Sequence, residues 1–377
     1  MGAGSLLSPG QSSGPGWLAI QNGRIAEVGH GEAPHQVDQF FPSHSILPGF
    51  VDIHVHGAGG GSFTTADPAD SRRAANFLRN QGTTSMIASL VSAPHADLLR
   101  QIESLKDLVD EGLLAGIHLE GPWLAASRGG AHALSALRDP DPSEIDELLA
   151  AADGALQMVT LAPERPGAIA AISQLVDAGV TVAIGHTAAS YGQTRAAINA
   201  GATVATHLFN AMPPIHHREP GPVVALLEDP RVTLELIADG HHLHPAIVAE
   251  VMRSAGPDRV AFVSDAMAAA SMPDGQYSLG ALEVSVSDGR AKLADGTIAG
   301  STTTGAELMR SAVRANASAA YPLVCASALM SSTPAKALGL GEVGELTPGQ
   351  WADLVVWDNN AQQVAGVMSR GEWVVRP

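Results

Sequence analysis

The sequence predicts an α/β protein: a (β/α)8 TIM barrel with a small β-sandwich domain built from both chain ends. Three observations predict it. Eight near-continuous apolar runs recur about every 22 to 40 residues through the middle of the chain, which is the length of a βα unit. Strand-like pieces stand at both ends, and neither is long enough to bury a core alone. The 377 residues accommodate a barrel of about 250 residues plus a small domain.

In chain order, residues 17–21 (WLAIQ) and 24–28 (RIAEV) flank Asn22-Gly23, a strong hairpin signal. Residues 352–357 (ADLVVW) and 372–375 (EWVV) are strand-like and separated by polar residues and Gly366. The expected division is residues 1–48 with 345–377 for the β-sandwich domain and 49–344 for the barrel. The eight runs are residues 53–56, 84–90, 116–120, 156–162, 182–186, 203–208, 232–238 and 260–265. Continuous rather than alternating hydrophobicity marks parallel strands covered on both faces. An open doubly wound sheet would carry G-x-G-x-x-G after its first strand. Gly57-Ala58-Gly59-Gly60-Gly61 has neither that spacing nor the helix start.

Composition narrows the function. Hydrophobic residues make up 45% of the chain, ample for a large core. The net charge of −17 excludes the basic footprint of a nucleic-acid binder and opposes an anionic membrane surface. A single cysteine, Cys325, forms no intrachain disulfide and reads as an inert buried thiol. No apolar run reaches 18 residues, and the Gly/Ser/Pro-rich start has no secretory pattern. A soluble, cytoplasmic protein is expected.

The run ends carry the chemistry. The first ends in His54-x-His56, the third in His118-Leu119-Glu120, the fifth in His186, the sixth in His207 and the eighth in Asp265. In a barrel the C-terminal strand ends build the active site. His54 and His56 share one face of a strand. Alone, such a pair reads as satisfied core or surface histidines, and Glu120 alone reads as a turn or capping carboxylate. Together they read as a metal site, because a carboxylate closing a buried strand needs a partner. Imidazole and carboxylate without thiolate suit a divalent metal, Zn²⁺ first, with Fe²⁺, Mn²⁺ or Co²⁺ as alternatives. Asp265 is the candidate proton shuttle, with helix capping as its plain alternative. The segment 212–218 (MPPIHHR) is a locally basic loop, suited to a phosphate or simply exposed. The segment 123–134 reads equally as a lid over the site or as a variable loop.

These residues carry a resemblance. Residues 48–57 (PGFVDIHVHG) and 347–355 (TPGQWADLV) resemble the signatures of the amidohydrolase superfamily. The segments HLEGP (118–122), GAH (130–132), GHT (185–187), THLFNAM (206–212), ADGHH (238–242), VSDA (263–266) and AGS (299–301) resemble the N-acetylglucosamine-6-phosphate deacetylase family, in family order. The resemblance implies a metal-dependent release of acetate from a 2-acetamido sugar phosphate by a homodimer. It implies that Glu120, His186 and His207 bind the main metal, that His54 and His56 hold a second, and that Asp265 is the acid/base. His242 is implied to contact the N-acetyl carbonyl. Ala131, His132, Ile298, Ala299 and Gly300 are implied to contact the sugar, and Asn210, Ala211 and Arg218 the phosphate, the arginine from either subunit. Residues 156–162 lack the lysine that bridges the metals of cyclic-amide relatives, and Glu120 takes that place. The rivals are a deacetylase of the galacto epimer, another amidase or deaminase on the same scaffold, and a non-catalytic barrel.

Overall fold

The computed structural model of the protein describes residues 1–7 and 14–377. Eight parallel strands form one sheet: β1 (Phe50–Val55), β2 (Thr83–Val91), β3 (Gly116–Glu120), β4 (Leu156–Leu161), β5 (Thr181–Ile184), β6 (Val204–Ala205), β7 (Thr233–Leu236) and β8 (Val260–Phe262). They pair in sequence order. The edges meet beyond the strand ends, where Asp265 N–H donates to the His54 carbonyl and His56 N–H to the Ala266 carbonyl, both at 2.8 Å. Asp52 fastens the same seam, accepting from the N–H groups of His54 (3.2 Å) and Ser264 (3.3 Å). Burial raises its carboxyl to about 6.

One helix follows each strand: α1 (Pro68–Asn80), α2 (His95–Asp110), α3 (Pro142–Ala152), α4 (Ala168–Asp177), α5 (Tyr191–Asn199), α6 (Gly221–Glu228), α7 (Pro245–Ala255) and α8 (Gly305–Ala315). Their starts are encoded locally. Asp67 and Asp141 cap helices that have proline in the first turn. Ser190 with Gln193, and Thr304 with Glu307, form capping boxes. α2 buries Leu98, Ile102, Leu105 and Leu108, a stripe at helical spacing against the barrel.

The barrel interior is layered. Val51, Ile53, Ile87, Met158, Ala183, Val204, Ala261 and Val263 make a dry lower layer, closed below by Ala335 and Leu338. Above it runs a buried polar chain: Ser89 Oγ to His118 Nδ1 (2.9 Å), His118 Nε2 to Thr160 Oγ1 (2.8 Å), and Thr160 to Thr206 (2.8 Å). Burial and the neighbouring His54 charge hold His118 well below the usual histidine range, so it stays neutral. This layer is the floor of the site.

The chain ends meet in one seven-stranded sheet made of Gly2–Leu6, Gly14–Gln21, Arg24–His30, Phe40–Pro48, Leu354–Asp358, Gln363–Ser369 and Glu372–Val375. Phe40–Pro48 pairs with Gly2–Leu6 on one side and Leu354–Asp358 on the other. The sheet folds over itself. Leu18, Ile25, Ile46, Leu354, Val356 and Met368 share one apolar cluster, and the turn at Gly23 lies against the turn at Gly371. Asn22 and Gly23 are both left-handed, as a two-residue hairpin turn requires.

Three elements differ from the sequence reading. The polar spacer near Gly366 contains the strand Gln363–Ser369, whose only buried large apolar residues are Val367 and Met368 next to that glycine. Residues 275–292 form a three-stranded antiparallel sheet inserted between β8 and α8, amphipathic and half-exposed and so unlike the continuous barrel runs. Cys325 is half-buried, at the partly covered side of the helix Pro322–Met330. The Gly/Ser/Pro-rich start falls partly on residues 8–13, outside the described residues, and Gly2–Leu6 is a strand. Among the described residues no helix is long and apolar enough to cross a membrane.

Candidate metal centre and active site

The candidate residues gather at the C-terminal mouth of the barrel. His54 lies near the end of β1 and His56 just past it, and Glu120 is the last residue of β3. His186, His207 and Asp265 follow β5, β6 and β8 with left-handed φ of 47°, 28° and 46°. Those sharp turns bring their side chains into the mouth.

Glu120 is the hub. Its Oε1 stands 2.9 Å from His186 Nε2 and 3.0 Å from His207 Nε2. Its Oε2 stands 3.3 Å from His56 Nε2 and 3.2 Å from His132 Nε2. Asp265 Oδ1 is 3.2 Å from His56 Nε2 and 3.6 Å from His54 Nε2. The Nε2 atoms of His186 and His207 are 3.0 Å apart.

The outer ring nitrogens decide what the inner ones offer. His54 Nδ1 donates to Glu235 Oε2 (3.0 Å), His56 Nδ1 to the Ser89 carbonyl (3.0 Å) and His186 Nδ1 to the Arg128 carbonyl (2.8 Å). In neutral rings the three Nε2 atoms are then bare lone pairs facing carboxylate oxygens. Such a set is repulsive unless a cation lies between its members. His54 Nε2 is moreover buried with no hydrogen-bond partner. The donors therefore fit a divalent metal, with His54, His56 and Glu120 as one convergent group and Glu120 with His186 as the core of another. His132 is built the opposite way. Ser92 N–H donates to its Nδ1 at 3.1 Å, so its proton sits on Nε2 and is donated to Glu120. His132 steadies the carboxylate; it does not offer it a competing lone pair.

Charge tells the same story. Burial disfavours charged His54 and His56, but Glu120, Glu235 and Asp265 outweigh it, holding His54 well above its usual value and His56 at about 9. Burial likewise raises Glu120 and Asp265, yet the histidines hold both below the carboxylate range. A bound dication replaces those protons.

These groups open into a cavity of about 380 Å³. His56, Glu120, Ala131, His132, His186, His207, Asn210, Ala211, His242, Asp265, Ile298 and Gly300 line it, with His54 buried just beneath. Two singled-out residues do not. Ala299 packs into the apolar cluster of Val91, Met267 and Leu279, while its neighbours Ile298 and Gly300 face the cavity. Arg218 is exposed on the loop after β6, its Nη1 2.7 Å from His217 Nε2. The segment 123–134 is anchored by fully buried Trp123 and Leu124, and Ala125 N–H bonds the His186 carbonyl at 3.0 Å. Beside Asn210 the backbone alternates in hand, with positive φ at His207, Phe209 (77°) and Ala211 (52°). Alternation of this kind turns successive N–H groups to one side, as an anion-binding nest does.

Sequence reasoning missed two carboxylates. Glu235, fully buried in β7, accepts from both His54 Nδ1 and His207 N–H (3.1 Å). Asp239 Oδ2 holds His242 Nδ1 at 2.8 Å. The available signal for the first was one acid inside Leu234-Glu235-Leu236. Glu235→Ala is expected to weaken metal affinity about 10- to 100-fold, measured by titrating metal into the stripped protein. Unchanged affinity would show that His54 and His207 need no such support.

The amidohydrolase family is matched over residues 45–374. N-acetylglucosamine-6-phosphate deacetylase of Vibrio furnissii is 36% identical over 315 residues, 82% of this chain and 78% of that protein. N-acetylgalactosamine-6-phosphate deacetylase of Escherichia coli O157:H7 is 37% identical over 326 residues, 85% of each. A solved structure is similar over 99% of this chain and 98% of its own, at 49% identity and a TM-score of 0.96. It is an Asp-to-Ala mutant of N-acetyl-D-glucosamine-6-phosphate deacetylase from Mycobacterium smegmatis in complex with N-acetyl-D-glucosamine 6-phosphate.

Proposed function

The chain belongs to the amidohydrolase family, and from that premise we propose that it hydrolyses N-acetyl-D-glucosamine 6-phosphate to D-glucosamine 6-phosphate and acetate. The observation that carries this reading is the hub at Glu120, where bare imidazole lone pairs converge beside Asp265 and His242 in one cavity.

Glu120, His186 and His207 are the proposed ligands of the main metal, Zn²⁺ first by donor type, and His54 and His56 of a second. When bound, the metal supplies a Lewis acid and acidifies water. The rest is done by this chain's residues. Asp265, ionised between the histidines, takes a proton from the attacking water. His242, held by Asp239, donates from its free ring nitrogen to the acetamido carbonyl oxygen and steadies the oxyanion that develops there. Asp265 then returns the proton to the departing amine. Ala131, His132, Ile298 and Gly300 border the sugar, and Asn210 and Ala211 cradle the phosphate. The proposed division gives this work to residues 49–344 and assigns 1–48 and 345–377 to the β domain. A phosphorylated substrate supports a cytoplasmic location, and a homodimer would let Arg218 serve a neighbouring site.

Metal-loaded protein is expected to release acetate from N-acetylglucosamine 6-phosphate and to lose that activity on chelation. Faster release from the galacto epimer would transfer the assignment to that sugar, as the comparable identity of the galactosamine relative allows.

Burial disfavours the imidazolium of His242, but Asp239 raises it above its ordinary value. A raised value keeps the ring charged to higher pH, so activity that needs this proton falls only on the alkaline side. Asp239→Asn is expected to move the alkaline limb of kcat/KM to lower pH. A limb that stays in place would show that another group sets it.

A further inference from the structure

We propose that Arg128 is a phosphate-binding cation of the active site, supplied by the same chain that holds the metal ligands; this rests on the phosphorylated-sugar reading above. Arg128 ends the short turn Ala126–Arg128 and lines the cavity. Its backbone is fixed, because its carbonyl accepts from His186 Nδ1 at 2.8 Å. Its guanidinium is free. Among the described residues it makes no ion pair, and its Nε is buried without a hydrogen-bond partner.

Arg128 is the arginine that the cavity lining contains. Acidic residues outnumber lysine and arginine 38 to 21, and arginines such as Arg24, Arg72, Arg138 and Arg231 are each held by a carboxylate. An unpaired fork in the cavity of so acidic a protein has an anion as its natural occupant.

The surrounding backbone says where the anion sits. Thr187, next to His186, donates its N–H to the Ala211 carbonyl at 3.2 Å. The Arg128 loop therefore adjoins the alternating segment at Phe209 and Ala211. The N–H groups of Phe209, Ala211 and Met212 donate to no acceptor among the described residues. Arg128, Asn210 and Ala211 thus line the cavity together, and the Ala211 N–H donates to no acceptor among the described residues. Arg218 points to His217 outside that lining.

The test compares Arg128→Ala, Arg128→Lys and Arg218→Ala in the metal-loaded enzyme, on N-acetylglucosamine 6-phosphate and on N-acetylglucosamine. Arg128→Ala is expected to raise KM for the phosphorylated sugar about 10- to 100-fold, with kcat little changed. The loss on the unphosphorylated sugar should be far smaller, and Arg128→Lys should recover part of the affinity. Bound metal should stay constant, because the carbonyl that holds His186 is backbone. Equal losses on both sugars, or an unchanged KM, would overturn the assignment. Calorimetry with glucosamine 6-phosphate reads the same contact without turnover. A chain that binds this ligand through Arg128 yet releases no acetate would refute the deacetylase reading alone. Normal acetate release with Arg128→Ala binding as tightly as wild type would refute the Arg128 assignment alone.

Discussion

Asp265→Asn is expected to lower kcat about 10²- to 10⁴-fold while metal content stays near that of the wild type. The carboxylate is nearly isosteric with the amide, so the seam made by Asp265 N–H and the His54 carbonyl survives. What disappears is the base. The ionised group lies 3.2 Å from His56 Nε2 and is held anionic by the histidines around it, and an amide cannot take a proton from water. Glu120, His186 and His207 are untouched, so metal analysis and turnover should separate. A variant that keeps most of its turnover would remove Asp265 from the proton transfers. One that loses metal with its activity would make it a ligand instead.

Glu120→Gln should be as damaging by a different route. Every inner nitrogen of the site faces one of its two oxygens. The amide turns one oxygen into a donor that meets His132 Nε2–H donor to donor, and it removes the only negative charge between the imidazoles of His186 and His207. Bound metal is expected to fall towards zero. Activity should then fall by the several kcal/mol a Lewis acid supplies, roughly a thousandfold or more. Thermal unfolding provides an independent reading. A metal bound far above its dissociation constant stabilises the wild type by about 3–4 kcal/mol at 100 to 1,000 times that constant. Chelator should therefore lower the wild-type melting temperature and leave that of Glu120→Gln unmoved. A chelator response of equal size in both proteins would take Glu120 out of the metal centre.

Much of this site was legible because burial and charge conflict in sequence as well as in space. Glu120 stands out at the end of Gly116–Glu120 because an acid closing an apolar strand requires a counter-charge. His186 and His207 stand out because their runs end on them. Glu235 did not, since it occupies an interior strand position where a single acid looks like a boundary. Two outer partners of the histidines are backbone carbonyls, at Ser89 and Arg128, and carbonyls have no residue signature. The eight barrel strands were readable as continuous apolar runs. Gln363–Ser369 and the inserted strands at 275–292 were not, because half-exposed strands dilute that signal. The part of the cavity wall formed by Leu279 was hidden with them, whereas Ile298 was reached through the family resemblance.

The pairing of the two chain ends has a consequence for synthesis. Phe40–Pro48 finds its second partner only when Leu354–Asp358 has been made, and Ser45 bonds Asn359 across 314 positions of sequence. At about 5–20 residues per second, a growing chain keeps that strand edge unpaired for roughly 15–60 s. Throughout that interval an apolar strand edge is open to wrong partners, including the same strand of a neighbouring nascent chain. The barrel can fasten its own seam earlier, since Asp52 and Ser264 both emerge before the last hundred residues. The order of emergence lets the catalytic mouth assemble before the terminal sheet is latched, and a chain that stops short of residue 354 lacks the strand that covers the Phe40–Pro48 edge.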